Sequence, residues 1–425
     1  MKSKKKTLFS NRVFLNFWIG QTVSMFGSQI SIMALPLTAV LIFDASTMEM
    51  GIYQAVASAP YLIIGLFAGV WIDRVRRRPL VIYSNLATGI ILSLVPLLAW
   101  LGLLNMTFMY IILFLFGTST LIFELSFLSF IPNIVDKKDL TEANSKLQSS
   151  RSVSRIIGPN LAGPLISIFT APFAILIDSF SFLISFLFLR SIPVEENAKK
   201  KQSFRRIWSE IGIGLKTIFN NPILISLSAS TATINFFHTT FAAIFMIFLV
   251  KQIGLTPLQI GLVMGISSSG TLLGAFVARK LSVNLGIGTT IIGATSSIVI
   301  GTFVIAISPN SLLVALPMIT IGQFLSGLGN TIYVINQVSL RQTITPDEIL
   351  GKVNASSQFL SRGAMPFAGI FGGSIGSWFG LKIALLITAI GFLLSVVWLL
   401  LSPLKAIKTV DDALDEQKKL KMAID

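Results

Sequence analysis

The sequence predicts an all-α membrane protein whose twelve transmembrane helices form two pseudo-symmetric six-helix bundles. The first observation behind this prediction is composition: 53% of the 425 residues are hydrophobic and 12% are charged, whereas a soluble domain carries about 25% charged residues. The second observation is a series of twelve apolar stretches. The third is the uneven distribution of Lys and Arg among the loops that join those stretches.

The apolar stretches are each long enough to cross a bilayer, which takes roughly 20 helical residues. Helices are expected because a helix satisfies its own backbone hydrogen bonds in lipid. The first stretch has no small-residue cleavage motif and is predicted to be a retained helix, not a signal peptide. The predicted spans are residues 12–43, 48–73, 79–103, 106–134, 145–169, 171–192, 222–250, 257–281, 286–307, 311–340, 353–379 and 380–403.

Positive charge lies in alternate connections between the spans. When helix ends are counted with the nearer loop, every Lys and Arg except Lys251 and Lys382 falls on one side. The positive-inside rule places that side, and both termini, in the cytoplasm, so we predict a multi-pass protein of the inner or plasma membrane. The net charge of +15 thus belongs to short loops and does not predict a nucleic-acid partner.

The chain is predicted to have four parts: an N-terminal bundle (1–192), a cytoplasmic linker (193–221), a C-terminal bundle (222–403) and a cytoplasmic tail (404–425). Apolar residues recur at helical spacing within the linker, which predicts an amphipathic helix on the cytoplasmic leaflet. The two bundles repeat each other, since a shift of 210 residues superposes Asn144 on Asn354 and Gln148 on Gln358. Parallel six-plus-six repeats predict a substrate site at the bilayer midplane.

Two groups of motifs resemble a known family. The connection after the second span reads GVWIDRVRRRP (69–79), and it resembles the loop 2–3 signature of the major facilitator superfamily at Gly69, Asp73, Arg74, Arg77 and Arg78. Arg76 stands where that signature usually has Gly. The segments FELSFLSFIPNIV (123–135), DLTEANSKL (139–147), GPNLAG (158–163) and IDSFSF (177–182) are similar to the macrolide-efflux-like branch of drug:proton antiporters, which also contains siderophore exporters.

The resemblance implies a secondary active transporter that exports an amphipathic small molecule, such as a drug, macrolide-like or siderophore-like compound, in exchange for protons. It implies a gating role for the loop 2–3 residues and an antiporter-like motif in the fifth span at Gly158, Pro159 and Gly163. The predicted partners are the substrate, protons and membrane lipids, and the protein is predicted to be a monomer.

Two alternatives stay open at this point. One is a lipid or lysolipid flippase, which the same cavity would serve, and the other is a non-transporting membrane receptor on this scaffold. The chain has no Cys and a single His, and no nucleophile–base pair or metal-ligand cluster is evident. We therefore predict no enzymatic activity, no cofactor and no metal.

Ionisable groups within spans are costly in lipid and mark functional sites. Glu124 in the fourth span is predicted to be the proton-coupling carboxylate, and Asp178 in the sixth is a second candidate for which helix packing is the stronger hypothesis. Arg155 and Arg362 occupy matching places in the fifth and eleventh spans. We expect them to pair with carboxylates, or alternatively to attract anionic groups of a substrate; Asp136 is a possible partner for the loop arginines.

Polar side chains at helical spacing predict the wall of a central cavity. For each such residue, a hydrogen bond between helices is an equally good interpretation. His238 alone favours packing over proton relay. The predicted cavity residues are Gln21, Ser24 and Ser28 in the first span, Asn235 and His238 in the seventh, and Gln323, Ser326, Asn330, Tyr333 and Gln337 in the tenth.

Overall fold

A computed structural model describes residues 8–72, 75–136, 139–193 and 204–422 of the chain. In these ranges all regular structure is helical. Three 3-10 turns and one π-helical turn (Phe248–Gln252) accompany the α-helices. The α-helices are α1 (Arg12–Ile42), α2 (Thr47–Ile63), α3 (Gly65–Ile72), α4 (Arg77–Trp100), α5 (Met106–Phe130), α6 (Leu140–Phe169), α7 (Ala171–Arg190), α8 (Phe204–Asn220), α9 (Pro222–Ile247), α10 (Pro257–Leu285), α11 (Ile287–Ala306), α12 (Leu312–Ile344), α13 (Asp347–Gly363), α14 (Met365–Phe379), α15 (Leu381–Leu400) and α16 (Val410–Met422).

Helices occupy all twelve predicted spans. Among the described residues, nine helices are long and apolar enough by themselves to cross a membrane. The other three spans are the broken pairs α2–α3 and α13–α14, and α6, whose first half is polar. The predicted all-α membrane fold is confirmed.

Two spans that were predicted to be continuous are interrupted. The break between α13 and α14 falls at Ala364, two residues before Pro366, whose ring nitrogen cannot donate the next helical hydrogen bond. The break between α2 and α3 falls at Ile64, beside the flexible backbone of Gly65. Hydrogen bonds from Ile64 to Pro60 and from Ala68 to Ile64 continue across this second site, so the helical hydrogen bonding does not end there.

The chain divides into two compact units. Unit 1 contains Met1–Ala45, Val56–Gln202 and Thr256–Gly265, and unit 2 contains Ser46–Ala55, Ser203–Leu255 and Ile266–Asp425. The first turns of α2 thus belong with unit 2, and the first turns of α10 belong with unit 1. The boundaries predicted from the sequence stay a prediction about the two bundles.

In unit 1, α1 packs against α7 and α6. An aromatic core holds the beginning of α1 and the end of α5 together, with Phe17 stacked on Phe127 at 5.3 Å between ring centroids. Backbones approach closely where glycines meet: a Cβ on Gly163 of α6 would lie 3.2 Å from the Gly261 Cα of α10. Such small-residue contacts let helices pack tightly in lipid, where the hydrophobic effect does not drive association.

In unit 2, the corresponding close contact joins α2 to α14. A Cβ on Gly51 would lie 2.6 Å from the Gly373 Cα and 2.7 Å from the Gly369 carbonyl oxygen. The glycine of α2 that faces α14 is therefore Gly51. By contrast, the nearest side chain to a Cβ on Gly65 would belong to Leu121 of α5, at 3.9 Å.

The linker and the tail both form helices that pack on the C-terminal helices of unit 2. The predicted linker helix is present as α8, but its second half packs on α13 instead of presenting this surface to the leaflet. Ile218 is fully buried in a cluster with Val353, and Ser356 donates a hydrogen bond to the Ile211 carbonyl oxygen at 3.0 Å. The apolar residues of the linker recur at the spacing expected for a membrane-surface helix. The same apolar face packs instead against α13 of this chain.

Candidate functional site

Glu124 projects from the side of α5 that faces α2. Its Oε2 accepts a hydrogen bond from the Tyr61 hydroxyl at 3.2 Å. The other side of α5 carries exposed apolar side chains, among them Ile111 and Leu115. Leu115 precedes Glu124 by nine residues, and at about 100° per residue the two side chains point in opposite directions from the helix axis. Glu124 itself is exposed, so this carboxylate does not share the lipid-facing surface of its helix.

Asp178 has the opposite environment, since it is completely buried between α7 and α1. Ser181 donates to its Oδ1 at 3.0 Å, and the Ser28 and Ser31 side chains lie near the same carboxyl group without hydrogen-bond geometry among the described residues. Asp178 Oδ2 and the Ser31 hydroxyl lack a hydrogen-bond partner. A charged carboxylate in such a position is very costly, whereas a protonated one carries a donor that the serines can accept.

Gly27 makes room for this carboxyl group. A Cβ on Gly27 would lie 2.6 Å from Asp178 Oδ1 and would also overlap the Ser181 hydroxyl. The absence of a side chain at this position on α1 is thus what lets Asp178 and its serine partners meet the helix backbone.

The polar residues of α1 point largely into unit 1. Gln21 and Asn85 both donate to the Ser185 hydroxyl, at 3.2 Å and 2.7 Å, and this joins α1, α4 and α7. Gln21 and Ser24 are buried, while Ser28 reaches the Asp178 cluster. For Gln21, the hydrogen bond between helices is the interpretation that the contacts favour.

In unit 2, the polar residues of α9 make contacts with α12 and α13. The Thr231 and Tyr333 hydroxyls are 2.8 Å apart, and Asn235 donates to the Ser361 carbonyl oxygen at 3.3 Å. His238 is exposed. The α9 stripe therefore combines one open side chain with two that connect helices.

The five-residue stripe of α12 is not uniform. Tyr333 and Gln337 are buried, Gln323 and Ser326 are partly buried, and Asn330 is exposed. Ser326 packs on Gly301 of α11. The buried Oε1 of Gln337 lacks a hydrogen-bond partner among the described residues, so the C-terminal end of the stripe contains an unsatisfied acceptor.

The loop 2–3 motif is described only in part. Gly69 lies within α3, Asp73 and Arg74 lie outside the described residues, and α4 begins at Arg77. Arg78 donates to the Arg190 carbonyl oxygen at 3.1 Å, which ties α4 to the end of α7. The gating role of this motif stays a prediction.

The motif in α6 places small residues against two neighbours. Gln29 of α1 fills the space beside Gly158, and Gly163 meets α10 as described above. Pro159 and Gly158 are both buried.

The predicted charge partners are all exposed; they are Asp136, Arg155 and Arg362. Within the described ranges, Arg155 makes no ion pair with Glu124. Those ranges also contain no cluster of three or more His, Asp or Glu that could hold a metal.

Sequence reasoning missed several polar partners. No sequence pattern marks Tyr61 as the partner of Glu124. The composition of an apolar span does not show which phenol will contact a carboxylate 63 residues away. Arg341 of α12 is buried and donates to the Ser357 hydroxyl of α13 at 2.8 Å. Arg151, one turn before Arg155, could have been found from its spacing.

Relatives of known sequence are similar over most of the chain. The protein is 24% identical over 270 residues to macrolide efflux protein A of Streptococcus pyogenes, which covers 62% of this chain and 65% of that protein. It is 23% identical over 394 residues to the MFS-type transporter YfiS of Bacillus subtilis strain 168, covering 90% and 91% of the two chains. A second transporter of that organism, YvqJ, is 20% identical over 77% of each chain.

Solved structures show the same fold at low sequence identity. A bacterial homologue of the iron transporter ferroportin in an inward-facing state has a TM-score of 0.70 and 18% identity, covering 93% of this chain and 99% of the other. The nucleoside transporter NupG has a TM-score of 0.69 and 11% identity over 91% and 98% of the two chains.

The match to a family model covers most of the chain. The model of the Major Facilitator Superfamily matches residues 17–361 and 229–422, and the macrolide efflux relatives support the predicted branch. The match points to a multi-pass membrane transporter for small molecules instead of an enzyme. The chain therefore belongs to the Major Facilitator Superfamily.

Proposed function

We propose that this protein exports an amphipathic small molecule by alternating access and that inward flow of protons drives the export. The observation that carries the proposal is Glu124, an ionisable side chain on a membrane-spanning helix that projects away from the lipid-facing surface and contacts Tyr61. An intramembrane carboxylate of this kind is expected to bind and release a proton during transport. The protein works in the cell membrane, as a monomer with cytoplasmic termini.

The bond between Tyr61 and Glu124 gives protonation a structural consequence. An ionised carboxylate holds the phenol by a charge-assisted hydrogen bond, which is roughly twice as strong as a neutral one. Protonation of Glu124 weakens that bond and loosens α5 from α2. Proton binding thereby changes the energy of a contact within unit 1, between α5 and the second half of α2, which is the kind of differential interaction that can bias a conformational equilibrium.

The substrate would meet the open polar side chains of the predicted cavity. Asn330 and His238 are exposed, and Asn235 and Gln323 are partly so. Scattered amides among apolar side chains suit an amphipathic ligand, because a few polar groups fix its orientation while apolar contacts supply most of the affinity. Export as the direction of transport is supported by the macrolide efflux relatives.

The replacement Glu124→Gln tests the coupling role in proteoliposomes. Glutamine keeps the shape and a hydrogen-bond acceptor for Tyr61 but cannot exchange a proton. We expect flux driven by an imposed pH gradient to fall at least about tenfold, as is usual when a proton-transfer group is removed. Substrate exchange without a gradient should continue, because it needs no net proton movement.

Glu142→Gln is the matched control, since among the described residues this exposed acid pairs only with Lys146 on the surface of α6, at 3.4 Å. It should leave gradient-driven flux unchanged. Asp178→Asn in the same assay asks whether the buried carboxyl is a second proton site. Undiminished gradient-driven flux in Glu124→Gln would contradict the coupling role, and absence of flux for every substrate of a diverse library in the unmodified protein would contradict transport itself.

A further inference from the structure

The helix α6 has two exposed sides of different chemistry. Ser150, Ser154 and Gly158 are buried along one stripe, where Thr22 of α1 donates to the Ser150 hydroxyl at 3.0 Å. On one side of this stripe the large exposed residues are apolar, with the exposed polar residues Ser149 and Asn160 at its edge. The apolar residues are Val153, Ile157 and Leu161, with exposed fractions of 42%, 44% and 50%. This side suits lipid.

The other exposed side of α6 is basic. Arg151 and Arg155 are both exposed, and Arg155 lies about 200° around the helix axis from Val153. Gln148 precedes Arg151 by three residues and lies on the same side. The two arginines therefore project away from the apolar, lipid-suited side of their helix.

No acidic side chain neutralises this pair in the described part of the chain. The positive charge of Arg151 repels that of Arg155. Neither guanidinium forms an ion pair with a described residue. Like charges four residues apart on a helix destabilise it. The acid of the same helix, Glu142, is already paired with Lys146.

Arg155 also lies at membrane depth, and Arg151, one turn earlier, lies near the membrane boundary. Arg155 is 14 residues from the outer end of α6 at Phe169, so about 21 Å of helix separates them. In a hydrocarbon core about 30 Å thick, this places Arg155 well inside the cytoplasmic boundary. A guanidinium at this depth that has no acidic partner among the described residues carries an energetic cost, and in membrane proteins such costs are associated with ligand binding or ion pathways.

We propose that the transported substrates are amphipathic organic anions, whose acidic group binds Arg151 and Arg155 while the apolar part contacts neighbouring apolar side chains. Guanidinium groups one turn apart match the oxygens of a carboxylate, sulfonate or phosphate, and they bind such groups through paired hydrogen bonds. Gln148 adds an amide donor on the same side. This inference rests on the proposed transport function and names the substrate class for it.

Two fluorescent probes with one skeleton test the proposal. 8-Anilinonaphthalene-1-sulfonate carries a sulfonate, and N-phenyl-1-naphthylamine is the same molecule without it. Initial rates of proton-driven accumulation are measured in proteoliposomes of phosphatidylcholine, which offers no anionic lipid headgroup to the arginines. The double variant Arg151→Gln/Arg155→Gln should slow sulfonate transport at least about tenfold, the usual effect of losing charge-assisted hydrogen bonds. Transport of the neutral probe should change less than twofold.

The control variant Arg279→Gln/Lys280→Gln also removes two positive charges. Both residues are exposed near the end of α10, and this variant should leave both rates unchanged. Repeating the assay with phosphatidylglycerol in the vesicles should lower sulfonate transport by competition for the same arginines.

The results separate the hypothesis of an anion site from the hypothesis of transport. If the neutral probe is transported and the sulfonate is not, or if the double variant slows both probes equally, the anion site is wrong while transport stands. A lipid site would give a different result. The sulfonate would not be transported in phosphatidylcholine, and phosphatidylglycerol would change the transport rate of the unmodified protein but not that of the double variant. If neither probe moves in the unmodified protein, the proposed function fails together with this inference.

Discussion

Two membrane-embedded carboxyl groups of this protein have contrasting surroundings. Glu124 is exposed and contacts one phenol, whereas Asp178 is fully buried among serines. The Glu124 side chain is open on the surface of its helix. Asp178 can exchange a proton only if α1 and α7 separate, so its protonation state is tied to the packing of that helix pair.

Gly27→Ala tests how tightly this pair is packed. The added methyl group would meet Asp178 Oδ1 at 2.6 Å and the Ser181 hydroxyl, and neither can withdraw without losing its partner. We expect a loss of about 1–3 kcal/mol in the free energy of unfolding, as is typical of overpacking. The measurement is the thermal unfolding midpoint in detergent.

Gly293→Ala on α11 is the control, because a Cβ there meets nothing within 4 Å. It should be neutral or stabilise by up to about 1 kcal/mol, since Ala favours helix more than Gly does. Equal midpoints for the two variants would mean that α1 and α7 are packed less closely than the structure shows.

At the scale of elements, hydropathy and charge predict where helices lie but not what each helix touches. The spans were predictable because a bilayer requires some 20 apolar residues regardless of tertiary contacts. The partner of the linker helix was not, since an apolar face at helical spacing fits a lipid surface and α13 equally well. Likewise, the close contact of α2 with α14 through Gly51 depends on the tertiary arrangement of the two helices.

The tail helix α16 shows the same limit, since no sequence pattern predicts where it docks. Ala413 and Leu420 are buried in the core of unit 2, and Gln417 donates to the Thr345 carbonyl oxygen at 3.3 Å. Lys421 lies 3.6 Å from Glu348 of α13. The tail is thereby tied to the ends of α12 and α13.

Docking of α16 should weaken in acid. The backbone N–H groups of Thr409 and Lys408 donate to Asp412 and lower the pKa of its carboxyl group. The pKa of Glu348 is lowered by a backbone hydrogen bond and by Lys421. A carboxyl whose pKa is lowered by folding adds stability above its ordinary pKa of about 4, and that stability is lost as pH falls further.

Hydrogen-exchange protection of the α16 amides, corrected for intrinsic exchange rates, measures this effect. Protection should decrease below about pH 4, and Asp412→Asn should flatten the pH dependence, because Asn keeps a capping oxygen without titrating. Asp415→Asn is the control, since in the described part of the chain Asp415 bonds only the exposed Lys418, at 2.9 Å. Protection that is constant from pH 6 to pH 3 would show that these carboxylates do not hold the tail.

At the scale of the whole molecule, the family and fold were predictable because they depend on features spread over the entire chain. Twelve spans, the repeat and the loop motifs all contribute, and no single residue decides the result. The substrate and coupling sites depend instead on contacts between distant helices, such as Tyr61 with Glu124 or Asn85 with Ser185. Such pairs cannot be deduced from hydropathy, which is the same for many alternative pairings.

The membrane orientation of the whole molecule is directly testable because the chain contains no Cys. Asn310→Cys lies between α11 and α12 on the predicted outer side, and Lys405→Cys follows α15 on the predicted inner side; both positions are exposed. A membrane-impermeant maleimide added to intact cells should label position 310 and not position 405, which should react only after permeabilisation. The physical reason is the positive-inside rule, since translocating the Lys- and Arg-rich loops across the membrane is unfavourable. Labelling of position 405 in intact cells would invert the topology and place the basic side of α6 nearer the outer surface.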